Sequence, residues 1–235
     1  MNKKIKCVIV IIVVLILGFG IFYLTSYYHA EDSVSQYLNG SGNVSVIKQS
    51  KGLFLDGPGN DSALIFYPGA KVEYTSYLPM LSQIASRGVD CYLVEMPFNI
   101  AFFGSDSADS IIEDLNYSHY YLSGHSLGGV VASLYAKNKD NIEGLILLAA
   151  YPNKEIDIPV LSIYGSEDKV LNLDKYAESK DLIKNNFTEV IIDGGNHEQF
   201  AYYGNQSGDG VATITPENQQ KQCVSEIIKF IEACN

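Results

Sequence analysis

His119-Tyr120-Tyr121-Leu122-Ser123-Gly124-His125-Ser126-Leu127-Gly128-Gly129 is an apolar run that breaks into a glycine-rich turn. Residues 124–128 have the G-x-S-x-G form of a nucleophile elbow, where a strand turns sharply into a helix with Ser at the corner. The flanks supply that context. An apolar strand is predicted over 119–123, and Val130-Val131-Ala132-Ser133-Leu134-Tyr135-Ala136 predicts a helix over 127–138. Gly124 and Gly128 leave out Cβ atoms that would clash with the helix or crowd the serine. Ser126 Oγ is then expected at a helix N-terminus, where free N–H groups and the dipole favour a developing negative charge.

A nucleophilic serine needs a base and a group to orient that base. The chain has four histidines. His29 lies beside the N-terminal apolar segment, His119 opens the elbow strand, and His125 sits inside the elbow with its side chain directed away from that of Ser126. His197 remains as the base. It follows the strand Glu189-Val190-Ile191-Ile192-Asp193 and the turn Gly194-Gly195-Asn196. The orienting acid is expected after the strand Ile158-Pro159-Val160-Leu161-Ser162-Ile163-Tyr164, in the turn Gly165-Ser166-Glu167-Asp168. Asp168 has the position for it, with the adjacent Glu167 as the alternative; Asp193 is too near His197 in sequence to reach its far side. Both turns lie just beyond strand ends, the edge where open α/β sheets bind ligands.

Stabilising an oxyanion takes two preorganised donors. One is expected from the backbone N–H of Leu127. The other should come from the loop after the strand Ser62-Ala63-Leu64-Ile65-Phe66-Tyr67, which continues as Pro68-Gly69-Ala70-Lys71. Ala70 N–H is the expected donor and Lys71 N–H the alternative. A lysine beside that loop could attract an anionic acyl group, but pairing of Lys71 with Glu73 in solvent is the simpler expectation.

These segments resemble the α/β-hydrolase superfamily over about residues 44–233. The order Ser126…Asp168…His197 is the order of that fold. Phe66-Tyr67-Pro68-Gly69-Ala70-Lys71 and Gly195-Asn196-His197-Glu198-Gln199-Phe200 are similar to compact, dienelactone-hydrolase-like carboxylesterases. Two departures stand out. Pro68 replaces the His that many lipases and esterases carry in the oxyanion loop, and the elbow holds Ser126 where dienelactone hydrolases use Cys. The resemblance implies a serine hydrolase acting on small-molecule carboxylic esters through an acyl-enzyme, without a cofactor. A thioesterase, acyltransferase or amidase would use the same three residues, and a catalytically silent binding domain is the alternative from another class.

The N-terminus bounds where such a protein would work. Lys3, Lys4 and Lys6 precede an uncharged run from Cys7 to Leu24, 18 residues long. A signal-peptide core is about 7–15 residues and ends at a small-x-small site, whereas Tyr28 stands two positions before Ala30. The length approaches the ~20 residues that cross a bilayer. Residues 1–24 are therefore expected to be an uncleaved signal-anchor, with the lysines cytoplasmic and the catalytic domain, 44–235, held outside the cell membrane by a polar tether over 25–43. Secretion after cleavage is the alternative.

Without the three N-terminal lysines, 13 basic side chains face 27 acidic ones, a balance of −14, which a nucleic-acid backbone would repel. Arg87 is the single arginine, so no guanidinium clamp for phosphate is available. Cys91 reads as a core thiol. Cys223 and Cys234 are too far apart to bridge within one helix, and no C-x-x-C or His pair suggests a metal site.

Strands are expected at 44–49 and 53–56 (a small ribbon), 62–67, 90–95, 119–123, 143–150, 159–164 and 188–193. Helices are expected near 75–87, 106–115, 127–138, 172–184 and 216–233, with a short one over 31–38. Such alternation implies an α/β fold with a mostly parallel sheet covered on both faces. Only residues 151–158 separate two strands where lipases insert a cap, so no cap domain is expected. The Tyr- and Gly-rich stretch 202–210 would suit either a flexible wall of the site or a surface loop.

Overall fold

The structure, a computed structural model, describes residues 3–137 and 139–235. Met1, Asn2 and Asn138, ends of the expected anchor and elbow helix, lie outside the described residues. Eight strands among these residues form one sheet: β1 (Ser45–Gln49), β2 (Gly52–Asp56), β3 (Ser62–Tyr67), β4 (Val89–Val94), β5 (His119–His125), β6 (Gly144–Leu148), β7 (Val160–Gly165) and β8 (Phe187–Ile192). Their spatial order is β1-β2-β4-β3-β5-β6-β7-β8. From β4 to β8 every neighbouring pair is parallel. The expected ribbon is part of this sheet: β1 pairs antiparallel with β2, and β2 antiparallel with β4.

β3 and β4 are buried along their whole length, which is why both are mostly apolar with no regular polar alternation. The buried Asp90 of β4 is satisfied by Gly57 N at 2.7 Å and Tyr117 Oη–H at 2.6 Å. Leu64 and Phe66 of β3 enter the core on one face with Leu81, Ile84, Ile227 and Phe230. Ala63, Ile65 and Tyr67 enter the other with Ile111, Val131 and Ala132. Period-two side-chain direction thus divides one strand between two cores.

The helices are α1 (Lys3–Thr25), α2 (Leu78–Ala85), α3 (Ser107–Asp114), α4 (Leu127–Ala136), α5 (Leu173–Ser179) and α6 (Pro216–Cys234). Those expected over 75–87 and 172–184 are shorter, each continued by a 3-10 turn, Tyr74–Tyr77 and Lys180–Leu182. Asn172 Oδ1 caps α5 by accepting from Lys175 N at 2.9 Å. Thr215 Oγ1 caps α6, with Pro216 in its first turn. A feature not expected from the sequence follows β4: 3-10 turns at Pro97–Asn99 and Ala101–Gly104.

α1 is one continuous helix, and Ile5–Tyr23 is long and apolar enough to cross a membrane, with none of that span buried. The residues after it lie against the domain. Tyr28 N donates to Lys71 O and accepts through its own carbonyl from Glu73 N, at 2.7 and 2.8 Å. Val34, in the 3-10 turn Asp32–Tyr37, is buried in the core. Between β6 and β7 the chain is short and carries no cap.

Candidate active site

Ser126 stands at the junction of β5 and α4 with φ 53° and ψ −125°, a left-handed conformation that is strained for a residue with a side chain. The elbow is possible because of its glycines. A Cβ on Gly124 would lie 2.5 Å from the Gly128 carbonyl carbon, and one on Gly128 would lie 2.2 Å from Tyr67 O and 2.3 Å from Pro68 O. Gly128 therefore serves less to clear Ser126 than to let α4 begin directly beneath the end of β3.

Asp168 and His197 come from the turns beyond β7 and β8, both almost completely buried. His197 Nδ1–H donates to Asp168 Oδ2 at 2.9 Å. Asp168 Oδ1 accepts from Val170 N and Leu171 N, each at 2.8 Å, so the carboxylate cannot turn away. His197 Nε2 is buried and has no hydrogen-bond partner among the described residues. It lines the same cavity as Ser126. Glu167 is directed elsewhere, its Oε1 accepting from Ser166 Oγ at 3.2 Å, and Asp193 is exposed. His29 bonds Glu73, and His119 bonds Glu143 at the opposite edge of the sheet.

Asp209 was not singled out from the sequence, yet it grips both turns. Its Oδ2 accepts from Glu198 N at 2.9 Å and its Oδ1 from Lys169 N at 3.2 Å; these residues directly follow His197 and Asp168. Asn196 adds a bond from its amide to Gly210 O, and Gln219 holds the Asn196 backbone from α6. Residues 202–210 thus strap the turns of Asp168 and His197 from behind and do not line the cavity around Ser126. The sequence signal, a lone Asp between Gly208 and Gly210, is too common to have revealed this.

A chain of hydrogen bonds also links the loop after β3 to the elbow. Gly69 N–H donates to Tyr77 Oη at 3.0 Å, and Tyr77 Oη–H donates to His125 Nδ1 at 2.8 Å. His125 Nε2–H donates to His197 O at 3.0 Å. A carbonyl only accepts, so His125 carries its proton on Nε2. The elbow histidine, expected to face away from Ser126, ties the loop after β3 to the backbone of His197.

Lys71 N–H donates to Asn99 O at 2.7 Å and is thereby occupied. No acceptor among the described residues takes Ala70 N–H, and Leu127 N–H lies in the first turn of α4, where N–H groups lack an intrahelical acceptor. The Lys71–Glu73 pair expected from the sequence does not form. Lys71 Nζ lies 3.7 Å from the centroid of the Tyr23 ring, while Glu73 accepts from Ala30 N and Thr75 Oγ1. A cation over an aromatic face offsets the lost carboxylate partner.

Burial holds the His125 pKa well below the usual histidine range, with the neighbouring His197 adding to the effect. The unfolded chain takes up a proton near pH 6.5 that the native state refuses. This residue's contribution to stability is accordingly undiminished above that pH and erodes as pH falls below it, by at most about 1.4 kcal/mol per pH unit. Urea unfolding at pH 7.5 and 5.5 measures the slope, and His125→Gln is expected to reduce it by about one proton.

Ser126 and His197 open onto a cavity of about 220 Å³ walled by Leu127, Val130, Tyr151 and Val170. A larger cleft of about 600 Å³ lies apart from them, between Tyr27 and the turns after β4. Among the described residues no three His, Cys, Asp or Glu side chains are grouped to hold a metal ion. Cys91 and Cys223 are buried free thiols, and Cys234 is half-buried and free. The arrangement offers a hydroxyl, an imidazole with one nitrogen unpartnered among the described residues, a carboxylate bonded to its other nitrogen, and two N–H groups.

The sequence pattern of a family described as alpha/beta hydrolase matches residues 63–221. No curated protein matches the chain in sequence. Among solved structures, a membrane phospholipase A described as a bacterial virulence factor is 12% identical, with 99% of each chain covered and a TM-score of 0.63. A dienelactone hydrolase from Anabaena variabilis is 12% identical over 80% of this chain and 99% of its own, with a TM-score of 0.61. Est1E from Butyrivibrio proteoclasticus is 15% identical over 81% of this chain and 100% of its own, with a TM-score of 0.54.

Proposed function

We propose that this chain, which belongs to the alpha/beta hydrolase family, is a serine hydrolase that cleaves carboxylic esters through an acyl-enzyme. The observation that carries the reading is the buried, unpartnered Nε2 of His197, whose Nδ1 is locked on Asp168, in the cavity that Ser126 lines. In the first step Ser126 Oγ attacks the ester carbonyl while His197 Nε2 takes its proton. The developing oxyanion is held by Leu127 and Ala70 N–H groups, and the imidazolium is stabilised by the Asp168 carboxylate. His197 returns the proton to the departing alcohol. Water, activated by the same nitrogen, then releases the acid and restores Ser126. A fluorophosphonate probe tests the reading: labelling confined to Ser126 supports it, and an unlabelled native protein would refute it.

The same reading makes α1 a signal-anchor that holds the domain outside the membrane. Its exposed apolar surface and a membrane phospholipase A among the structural neighbours support this. Partition of the chain into the membrane fraction after alkaline carbonate washing tests it.

A third expectation concerns the acyl group. The cavity, at about 220 Å³, falls below the 300–1,000 Å³ usual for ligand pockets, and no cap roofs it. Each buried CH₂ contributes about 0.8 kcal/mol only where a wall exists to bury it. We expect kcat/KM on esters dissolved in water to gain little beyond roughly four to six acyl carbons, since further CH₂ groups meet no protein wall. A series from acetyl to palmitoyl esters checks this, and a steady rise to palmitoyl would contradict it.

A further inference from the structure

The turns after β4 expose three large apolar rings within six residues. Phe98, Phe102 and Phe103 are 56%, 53% and 59% exposed, although aromatic side chains of this size usually contribute to cores. Phe98 and Phe103 meet edge to face at 5.8 Å. Phe98 and Asn99 both have left-handed backbone, φ 57° and 55°, a conformation that Asn tolerates but that is unfavourable for a bulky residue such as Phe98. Strained backbone therefore accompanies an outward-facing aromatic cluster.

The cluster's neighbours indicate what covers it. Asn99 O binds Lys71 N, and the Lys71 side chain covers Tyr23 in the last turns of α1. Phe98 and Phe103 line a cleft with Tyr27, just beyond the end of that helix. On its other side, Phe102 borders Val131 and Leu134 of α4, the helix that follows directly after Ser126. α1 carries no charge from Cys7 onward, and its apolar span Ile5–Tyr23 is unburied, so the natural solvent of that span is lipid. Its end meets the loop after β3, at the same carboxyl edge of the sheet that carries Ser126, Asp168 and His197.

We infer that Phe98, Phe102 and Phe103 form a membrane-contact surface that seats in the lipid interface beside α1 and turns the open active site towards the bilayer. Phe is among the apolar side chains that surface-bound proteins bury at the boundary between headgroups and acyl chains. The domain's excess of acidic over basic side chains gives no electrostatic attraction to lipid, so the contact is apolar. Resting on the ester-hydrolase reading, the inference also narrows the substrate. A small acyl cavity open to the interface suits an amphiphilic ester with a short acyl group, its long alkyl portion remaining in the membrane.

The chain contains no tryptophan, so a single introduced one reports without background. Full-length Phe98→Trp, Phe102→Trp and Phe103→Trp variants would be reconstituted in phosphatidylcholine vesicles whose acyl chains carry bromine near the glycerol. Thr188→Trp, exposed at the opposite edge of the sheet, is the control. Strong quenching at the three aromatic positions and none at 188 is the expected result. Emission as unquenched as at 188 would overturn the inference. Blue-shifted emission without quenching would overturn it too, since protein and not lipid would then cover the patch. In the kinetic arm, the triple Ser variant F98S/F102S/F103S should lose at least tenfold in kcat/KM on hexadecyl butyrate held in vesicles. It should stay within twofold of the native protein on soluble 4-nitrophenyl butyrate. Equal losses on both esters would overturn the interfacial role. Native protein that hydrolyses neither ester would refute the hydrolase reading itself, and quenching would still decide the membrane surface.

Discussion

Ser126→Ala is expected to reduce ester turnover by on the order of 10⁶, the scale of loss when a serine nucleophile is removed, and to abolish fluorophosphonate labelling. The fold should be unaffected. Alanine keeps the Cβ, so the left-handed backbone at φ 53° is no more strained than before. The hydroxyl faces the cavity, so no buried group of the core loses a partner. Thermal unfolding and probe labelling on the same preparations check both halves. A variant that kept its activity would move the nucleophile away from the elbow.

Asp168→Asn is expected to cost about 10⁴ in kcat/KM, or roughly 5.4 kcal/mol of transition-state stabilisation. The geometry gives the reason. An Asn side chain at this position would turn its oxygen to Val170 N and Leu171 N, which donate to Oδ1 in the native protein. Its NH₂ would then meet His197 Nδ1, where the native carboxylate accepts. Facing a donor, Nδ1 must give up its proton, and neutral imidazole carries it on Nε2 instead. That nitrogen can no longer take the proton from Ser126. Glu167→Gln should be nearly silent, because the Glu167 side chain accepts, among the described residues, only from Ser166 Oγ and is not bonded to His197. The opposite ranking, from kcat/KM of both variants on one soluble ester, would transfer the acid role to Glu167.

Ser126, Asp168 and His197 were legible as candidates because each follows a local rule: a glycine-flanked corner, or a turn just past an apolar strand. Their supports were not. Asp209 reaches back to Lys169 across 40 positions, and Tyr77 bonds His125 across 48. Neither has a local pattern that distinguishes it from an ordinary turn Asp or helix Tyr. The rationale for Gly128 also changed, since the atoms a Cβ would strike belong to residues 67 and 68. The Lys71–Glu73 pair failed for a similar reason. Proximity in sequence suggested it, but Tyr23 and Ala30 arrive from outside the segment and take one partner each.

By itself the sequence determined the alternation of strands and helices, the buried parallel sheet, the strand–turn–helix corner at Ser126 and an N-terminal helix of membrane-crossing length. All of these are written in short-range periodicity and in glycine placement, which act within a few residues. Tertiary structure alone decided the order of the strands and the joining of the 45–56 ribbon to the sheet. It also decided how residues 202–210 strap the acid and base turns, and where the aromatic cluster lies relative to α1. Those features depend on which distant surfaces meet when two cores close on opposite faces of one sheet, and no local stretch of chain carries that information.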